Sequence, residues 1–365
     1  RTKQLAKLWI DKVSRHAGPD LALDTKKILF TQWQNNDNVH TEPRSDRQYI
    51  VAQVENHSTD TAARSVVLEM LVKRTGDREF SRAVDPIELG DIAAGDFAVA
   101  SFYWDLKGEN LENATVRFNV TDAAGTDAKP SDNSCETNVS IYFAKANGRA
   151  FGKDDWYDFD NYGFEGRETE ELIENILATV ADTVTTEGNL TEVMQRMLFP
   201  QVYMRAQTYL GQSVGSGAGG HCYGMSATSG LYFEQPSLKP VAKPTNKMTK
   251  PEASANINLY HRAQMLPLLQ SVVDDRSYAP SKWGVTAALN FVRRSLKDQR
   301  KPCMINFVGY DETHMTVQGS NGPEGKTIQE PWGHATLAYK LVEVDGVHSA
   351  IYLYDPNRPA WDRRR

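Results

Sequence analysis

Cysteine is scarce in this sequence, and long apolar runs and blocks of like charge are missing. Three cysteines among 365 residues are too few, and odd in number, for a disulfide framework. No stretch approaches the roughly 20 apolar residues needed to cross a bilayer, so we expect no membrane span. The net charge of -6 is modest and both signs are scattered along the chain, which argues against nucleic acid as a partner.

Motifs for metals and for phosphate-bearing cofactors are missing as well. Neither H-E-x-x-H nor C-x-x-C occurs, so a zinc site has no support. The glycine-rich segment 215–220 lacks the Lys-Ser/Thr pair of a phosphate-binding loop. The acidic segment 154–161 is dense in oxygen ligands, but it lacks the spacing and the terminal glutamate of a calcium loop. We therefore predict no cofactor and no resident metal.

The length and composition predict two domains. At 365 residues and 40.9 kDa the chain exceeds one ordinary core, and its 40% hydrophobic content is enough to fill two. Residues 20–144 hold six or seven short runs rich in valine, isoleucine and aromatic residues, separated by turn-forming clusters. This pattern predicts an antiparallel β-sandwich in a first domain, residues 1–144. We interpret the acidic, aromatic segment 145–167 as a linker.

Residues 168–365 predict an α+β domain. Apolar residues at helical spacing predict helices over the segments 168–184, 192–210, 256–273 and 282–298. Strand-like apolar runs follow at 302–310, 334–344 and 349–355. Helices followed by an antiparallel sheet are typical of an α+β domain rather than of alternating βαβ units. We expect a loop at 311–322, between the first two of these strands.

Cys222 stands between the glycine-rich segment and a predicted helix. A thiol at a helix N-terminus lies near the positive end of the helix dipole, which favours the reactive thiolate. The glycines allow close approach of backbone to substrate, and the Cys222 amide would itself be one oxyanion donor. The alternative is a small, buried cysteine in a glycine-rich turn. We favour a nucleophile, because GGH before the cysteine and YGMS after it are unusual in a protein core.

A nucleophilic thiol needs a base and a group that orients the base. His334 begins an apolar strand directly after Gly333, and Asp355 ends the next strand. We prefer Asp355 as the orienting group, because a carboxylate also stabilises the imidazolium, and keep Asn357 as the alternative. His314 is the strongest competing base, but it falls in the predicted loop. We expect His221 to point away from the thiol, His261 to lie on a helix surface and His348 to lie in a solvated turn.

Three motifs follow one another in the β-rich region. WQNND is followed by a proline and an apolar strand ending in VENHS, and then by a strand with the pattern A-x-x-V-x-L-x-x-L. This order resembles the bacterial CARDB-type immunoglobulin-like domains, and it implies an immunoglobulin-like β-sandwich. Because such a fold defines no activity, we expect only that it contacts a surface or protein partner, or covers the cleft of the following domain.

The segment GHCYGM at 220–225, the strand HATLAY and the ending YDPN follow in the order of a cysteine hydrolase. Together they resemble the papain-like cysteine peptidase superfamily, closer to its bacteriocin-processing and staphopain-like bacterial branches than to plant papains. The resemblance spans about residues 202–359 and implies a papain-like fold, a thiolate–imidazolium pair at Cys222 and His334, an acyl-enzyme and peptide bonds as substrate. The oxyanion glutamine expected six residues before the cysteine is replaced by Ser216, and Gln212 is the candidate substitute.

We therefore expect a secreted or cell-surface cysteine peptidase that acts on a protein or peptide, although residues 1–10 lack the apolar core of a signal peptide. The expected catalytic residues are Cys222, His334 and Asp355. One alternative is a transglutaminase-like or amidase site, which amine incorporation would separate from a peptidase. The other is a non-catalytic adhesion or binding protein with a degenerate enzyme fold, which Ser216 keeps open and an unreactive Cys222 would support.

Overall fold

Antiparallel strands predominate in the residues that the computed structural model describes, 18–31, 46–123, 127–163, 220–263, 285–319, 322–345 and 348–357. The strands are β1 (Leu21–Thr31), β2 (Arg47–Asn56), β3 (Ala63–Lys73), β4 (Ser81–Arg82), β5 (Ile87–Ile92), β6 (Phe97–Asp105), β7 (Leu111–Thr121), β8 (Ser134–Phe143), β9 (Lys145–Ala146), β10 (Arg149–Ala150), β11 (Cys303–Gly319), β12 (Gly322–Val344) and β13 (His348–Tyr354). The α-helices in the same residues are α1 (Cys222–Glu234), α2 (Lys250–Ala263) and α3 (Val285–Arg294). None of these helices is long and apolar enough to cross a membrane.

The chain divides into two compact units, and neither is continuous in sequence. The first unit comprises residues 1–152, 293–301 and 339–352, and the second comprises 153–292, 302–338 and 353–365. This division differs from the predicted contiguous domains, because the predicted linker 145–167 is shared between the units and two C-terminal segments belong to the first. Strand pairing is the cause, since the end of β12 pairs antiparallel with β8 from Lys340↔Phe143 to Val344↔Val139.

In the described residues, the first unit contains two larger antiparallel sheets and the two-stranded pair β9–β10. One larger sheet has the order β1-β2-β6. The other has the order β8-β7-β3-β4, with β5 also paired to β3, and continues from β8 into β12. Alternate residues of β3, including Val66, Leu68 and Met70, are fully buried, as expected for a strand with one face on a core. The sheets contact each other through their inner faces, where the ring centroids of Phe102 and Phe118 are 5.9 Å apart. The immunoglobulin-like class of this unit stays a prediction.

The second unit packs α1 against α2 and against the hairpin of β11 and β12. A Cβ on Gly224 of α1 would lie 2.1 Å from the carbonyl oxygen of Ile257, so only glycine allows this approach of α2. On the same helix, Gly230 faces the Leu337 side chain of β12, with 3.3 Å between that side chain and a Cβ placed on the glycine. These contacts hold α1 against α2 and β12. The papain-like class of this unit also stays a prediction.

The hairpin of β11 and β12 is longer than predicted. Its register runs without a break from Cys303↔Ala338 to Gly319↔Gly322. The loop predicted at 311–322 is therefore wrong, and the backbone of His314 pairs with Thr327. The loop was predicted because the polar sequence DETHMTVQ lacks the alternation of apolar and polar residues that marks a half-buried strand. Backbone pairing with a partner strand does not require that alternation.

The predicted helices agree with the structure in part. The helix predicted over 256–273 begins earlier, because α2 starts at Lys250. The helix predicted over 282–298 is α3, which continues as a π-helical turn over Ser295–Gln299 and ends at the left-handed Arg300. The helices predicted at 168–184 and 192–210 lie outside the described residues.

Candidate active site

Cys222 is the first residue of α1, where the sequence predicted a helix N-terminus. The residue before it, His221, is fully buried. Its backbone N–H donates to the Tyr162 carbonyl oxygen at 3.0 Å, and its Nδ1 lies 2.7 Å from the same oxygen. The two rings stack with their centroids 4.3 Å apart. His221 therefore anchors the start of α1, which fixes the backbone that carries the thiol.

The thiol, the imidazole and the carboxylate that the sequence singled out lie together in the second unit. Oδ1 of Asp355 is 2.7 Å from Nε2 of His334. Cys222 is hydrogen-bonded to the His334 side chain, and its Sγ also accepts the backbone N–H of Ala335 at 3.4 Å. Because Asp355 occupies Nε2, a proton can pass between the imidazole and the sulfur only through the other ring nitrogen, Nδ1, which Nδ2 of Asn357 also approaches.

The surroundings of the thiol and the imidazole favour an ion pair. Burial raises the pKa of Cys222, but hydrogen bonds from His334 and from the Ala335 amide outweigh it, and the pKa lies below its ordinary value. Hydrogen bonds to Asp355 and then to Cys222 raise the pKa of His334 to about 9. Between the lowered pKa of the thiol and about pH 9, the stable form is thiolate with imidazolium.

The two candidate orienting groups occupy different positions around the ring. Asp355 lies at Nε2, whereas Nδ2 of Asn357 lies 3.4 Å from Nδ1 of His334. The Asn357 backbone N–H donates to Oδ1 of Asp355 at 2.9 Å, so the turn closes on the same carboxylate oxygen that holds the imidazole. The geometry favours Asp355 as the orienting group and leaves Asn357 on the other side of the ring.

Asn161 holds this turn in place, and the sequence analysis missed it. Its Nδ2 donates to Oδ1 of Asn357 at 2.7 Å, and its backbone N–H donates to the Pro356 carbonyl oxygen at 3.2 Å. A Cβ on Gly220 would lie 2.2 Å from Nδ2 of Asn161, so the glycine before His221 is needed for this approach. No local motif marks Asn161, because it lies 196 residues from Asn357 in the sequence.

Backbone donors surround the sulfur. Besides the Ala335 amide, the N–H of Tyr223 is hydrogen-bonded to Cys222 and helps to lower the pKa of the thiol. Such donors cannot be read from a sequence, because every residue except proline carries one. The proposed oxyanion residue Gln212 lies outside the described residues, as does Ser216.

Three other histidines of the C-terminal half differ in their surroundings. His348 is exposed at the start of β13, and the backbone of His314 lies in β11. His261 of α2 was expected on a helix surface, and this was wrong. It is partly buried, with its ring centroid 5.0 Å from that of His221, and burial followed by the neighbouring His221 lowers the pKa of His261 to about 3. A neutral His261 can pack against the ring of His221, the residue that precedes α1.

The other cysteines and possible metal ligands add no second site to the described residues. All three cysteines are free, with Cys303 buried and the other two partly exposed. Burial raises the pKa of Cys135 to about 12, which disfavours its reactive thiolate. In the described part of the chain, no cluster of three or more histidine, cysteine, aspartate or glutamate residues is arranged to hold a metal ion.

Comparisons with known proteins do not assign the chain to a family. No family model matches the sequence, and no curated protein matches it. A β-glucosidase of family GH3 from Bifidobacterium adolescentis matches with a TM-score of 0.19 and 14% identity, over 33% of this chain and 17% of that one. Spo0M, a sporulation control protein from Bacillus subtilis, matches with a TM-score of 0.21 and 10% identity, over 33% and 48%.

A vertebrate-specific perforin-like membrane protein, Astrotactin-2, matches with a TM-score of 0.17 and 9% identity, over 89% of this chain and 48% of that one. The chain thus spans less than half the length of each of these three proteins. TM-scores near 0.2 support no conclusion about fold or function.

Proposed function

We propose that the protein is a cysteine peptidase whose catalytic residues are Cys222, His334 and Asp355. One observation carries the proposal: a hydrogen-bonded series runs from carboxylate to imidazole to thiol, and the thiol begins a helix. A cysteine that only fills a core needs neither a lowered pKa nor a charged imidazole beside it. The same arrangement, with two backbone amides at the sulfur, supports nucleophilic catalysis.

The proposed reaction has two steps. The Cys222 thiolate attacks the scissile carbonyl carbon, and the His334 imidazolium gives its proton to the leaving amine as the C–N bond breaks, which leaves a thioester. The now neutral His334 then takes a proton from water while the water oxygen attacks the thioester. The tetrahedral intermediate formed by this attack breaks its C–S bond, which releases the carboxylic acid product and restores the thiolate and the imidazolium. Throughout, Asp355 holds the ring through Nε2 and stabilises its charged form.

The fold classes, the location and the role of the first unit are part of the same proposal. Two observations support a papain-like second unit. Cys222 is the first residue of α1, and the sequence carries the three motifs at 220–225, 334–339 and 354–357. The strand motifs and the two facing sheets support an immunoglobulin-like first unit. We propose that the protein is secreted or displayed on a cell surface, with the first unit serving to contact a surface or protein partner.

A second candidate function has one specific observation in its favour. The third member of the site is a carboxylate, Asp355, as in transglutaminase-like sites that pass the acyl group to an amine. Such an enzyme would form the same thioester and then release it to an amine rather than to water. Incubation with a glutamine-containing peptide and a fluorescent primary amine separates the two, since stable incorporation of the amine indicates transfer and cleavage alone indicates a peptidase.

The test of the proposal is the pH dependence of Cys222 alkylation by iodoacetamide, read by mass spectrometry. A thiolate paired with imidazolium should react rapidly at about pH 6, far below the free thiol pKa of about 8.5. In His334→Ala the same rate should require a pH near that free value. His348→Ala, which removes an exposed imidazole, is the matched control and should behave like the wild type. Cys135, with its raised pKa, and the buried Cys303 should stay largely unmodified at about pH 6 and are internal negative controls in the same digest.

Two outcomes would contradict the proposal. Alkylation of Cys222 that rises only near the free thiol pKa would indicate an ordinary cysteine and favour the non-catalytic binding protein. A profile that His334→Ala leaves unchanged would show that the thiolate does not depend on the imidazole.

A further inference from the structure

An exposed aromatic side chain lies beside the proposed base. Phe307 of β11 is directly opposite His334 of β12 in the hairpin register. Residues directly opposite one another in an antiparallel pair project to the same face of the sheet, with Cβ atoms about 4.5–5.5 Å apart. Phe307 is 42% exposed although its neighbour His334 is partly buried. A single exposed apolar residue is ordinary on a protein surface, so its position next to the base is what matters.

The hairpin holds Phe307 in place. The preceding pair on the same face is Ile305↔Thr336, and the Thr336 hydroxyl donates to the Ile305 carbonyl oxygen at 3.3 Å. The next residue of β12 toward His334 is tied to α1, because Ser226 donates through Oγ to the Ala335 carbonyl oxygen at 3.2 Å. The position of Phe307 relative to His334 is therefore set by paired strands that are tied to the helix of the nucleophile.

The proposed chemistry determines which part of a substrate passes His334. The imidazolium protonates the leaving amine, so that nitrogen must come within about 3 Å of the ring. The amine belongs to the residue that follows the scissile bond, and its Cα is bonded directly to the nitrogen. The side chain of that residue consequently begins two bonds from this nitrogen and a few ångströms from His334. We place it on the side of the hairpin where Phe307 is exposed.

We propose that Phe307 forms the wall of the subsite for the residue immediately after the scissile bond, and that the enzyme prefers an apolar or aromatic side chain there. This inference rests on the proposed function. Contact with the ring removes apolar area of both partners from water, which a polar or charged side chain cannot match. A basic side chain would also face the positive imidazolium of His334.

The experiment uses the full chain and a peptide library, since the residues preferred before the scissile bond are unknown. Casein is digested with trypsin, its amino groups are blocked by dimethylation, and the new N-termini made by the protein are sequenced by mass spectrometry. Each new N-terminus reports the residue that followed the cleaved bond. We expect apolar and aromatic residues there in about tenfold excess over polar ones, after correction for abundance.

The variants separate the role of the ring from general effects. Phe307→Ala should reduce the excess to about twofold or less, while Phe307→Leu, which keeps apolar area, should retain most of it. Leu259→Ala removes another exposed apolar side chain of the second unit, 61% exposed on α2, and should leave the preference unchanged. Alkylation of Cys222 at about pH 6 is measured on every variant, to show that the nucleophile is intact.

The outcomes distinguish this inference from the proposed function. Slow alkylation of wild-type Cys222 at that pH would overturn both. Rapid alkylation with cleavage, but with no apolar excess or with an excess that survives Phe307→Ala, would overturn the subsite and leave the proposed peptidase standing. Rapid alkylation without cleavage of any peptide would overturn both the subsite and the peptidase activity, and would leave only the reactive thiolate of Cys222.

Discussion

The imidazole of His334 has an acidic partner on each side, the Asp355 carboxylate at Nε2 and the Cys222 thiol toward the other nitrogen. A carboxylate and an amide can both orient such a ring, but only the carboxylate stabilises its positive charge. The choice of Asp355 over Asn357 at Nε2 therefore affects the pKa of His334 as well as its orientation. At the scale of residues, this makes the charge at position 355 the feature to test.

Replacing that carboxylate by its neutral isostere should move the alkaline limit of the ion pair. In Asp355→Asn the largest contribution that raises the pKa of His334 is lost, so the pKa falls from about 9 toward its ordinary value. Because the imidazolium that protonates the leaving amine then loses its proton at lower pH, kcat/KM should fall at least about tenfold at pH 8. The measurement is the pH profile of kcat/KM.

Two further variants control this experiment. Asp85→Asn neutralises an exposed carboxylate of the first unit and should leave the profile unchanged. Asn357→Ala should leave the alkaline limit near its wild-type position, since this amide carries no charge. An alkaline limit that moves in Asn357→Ala but stays in place in Asp355→Asn would exchange the roles of the two residues.

At the scale of elements, the nucleophile depends on where α1 begins and on what packs against it. Gly224 lies one turn or less from Cys222 and touches the backbone of α2, while the nearest neighbour of Gly230 is the flexible side chain of Leu337, with the ring of Pro302 at ordinary contact distance. A backbone carbonyl cannot move aside as a leucine side chain can. The two glycines of one helix should therefore respond differently to the same substitution.

Gly224→Ala should be strongly destabilising and Gly230→Ala nearly neutral. In a helix interior alanine is favoured over glycine by about 1 kcal/mol, which offsets the slight crowding at Gly230. At Gly224 the added methyl would force α1 and α2 apart, at a cost of roughly 2 kcal/mol or more in the free energy of unfolding. Urea unfolding of both variants checks this, and equal midpoints for the two would refute the packing argument.

The elements around the site could be predicted to different degrees. The start of α1 at Cys222 followed from local sequence, because glycines and small residues mark it. An apolar run marked the strand of His334, but the prediction that His334 begins this strand was wrong, because β12 begins at Gly322. The extent of β11 did not, since a strand held by backbone pairing needs no apolar pattern. Asn161 and Phe307 were missed because their importance arises from partners distant in sequence, Asn357 and His334.

In the molecule taken together, β12, like β13, contributes residues to both compact units. It carries His334 in the second unit and Lys340 in the first. This division could not be predicted, because the pairing of β12 with β8 joins segments about 200 residues apart in sequence, and no local pattern specifies a non-local partner. For this reason the composition predicted two contiguous domains, with boundaries at residues 144 and 167, instead of the observed division.

Lys340 gives the first unit a pH-dependent stability. Its side chain is almost completely buried, donates from Nζ to the Arg47 carbonyl oxygen at 3.0 Å and lies 3.8 Å above the Tyr352 ring centroid. Burial lowers the pKa of Lys340 to about 7, with the nearby Asp46 opposing the shift. The unfolded chain, with an ordinary lysine pKa near 10.4, then binds more protons than the folded one between about pH 7 and pH 10. The contribution of Lys340 to stability therefore rises with pH across that window and is least favourable below pH 7.

Lys340→Met should remove this dependence, because methionine fills a similar volume without a titrating group. At about pH 6 the variant should be more stable than the wild type by roughly 2 to 4 kcal/mol, and the difference should shrink as the pH rises to about 9. Comparing variant with wild type at each pH cancels the opposite trend of His334, whose raised pKa stabilises the fold at low pH. Urea unfolding at both pH values measures the difference, and Lys26→Met, an exposed lysine on β1, is the control. A difference that stays constant with pH would mean that Lys340 keeps an ordinary pKa in the folded protein, for which its amine would have to reach water.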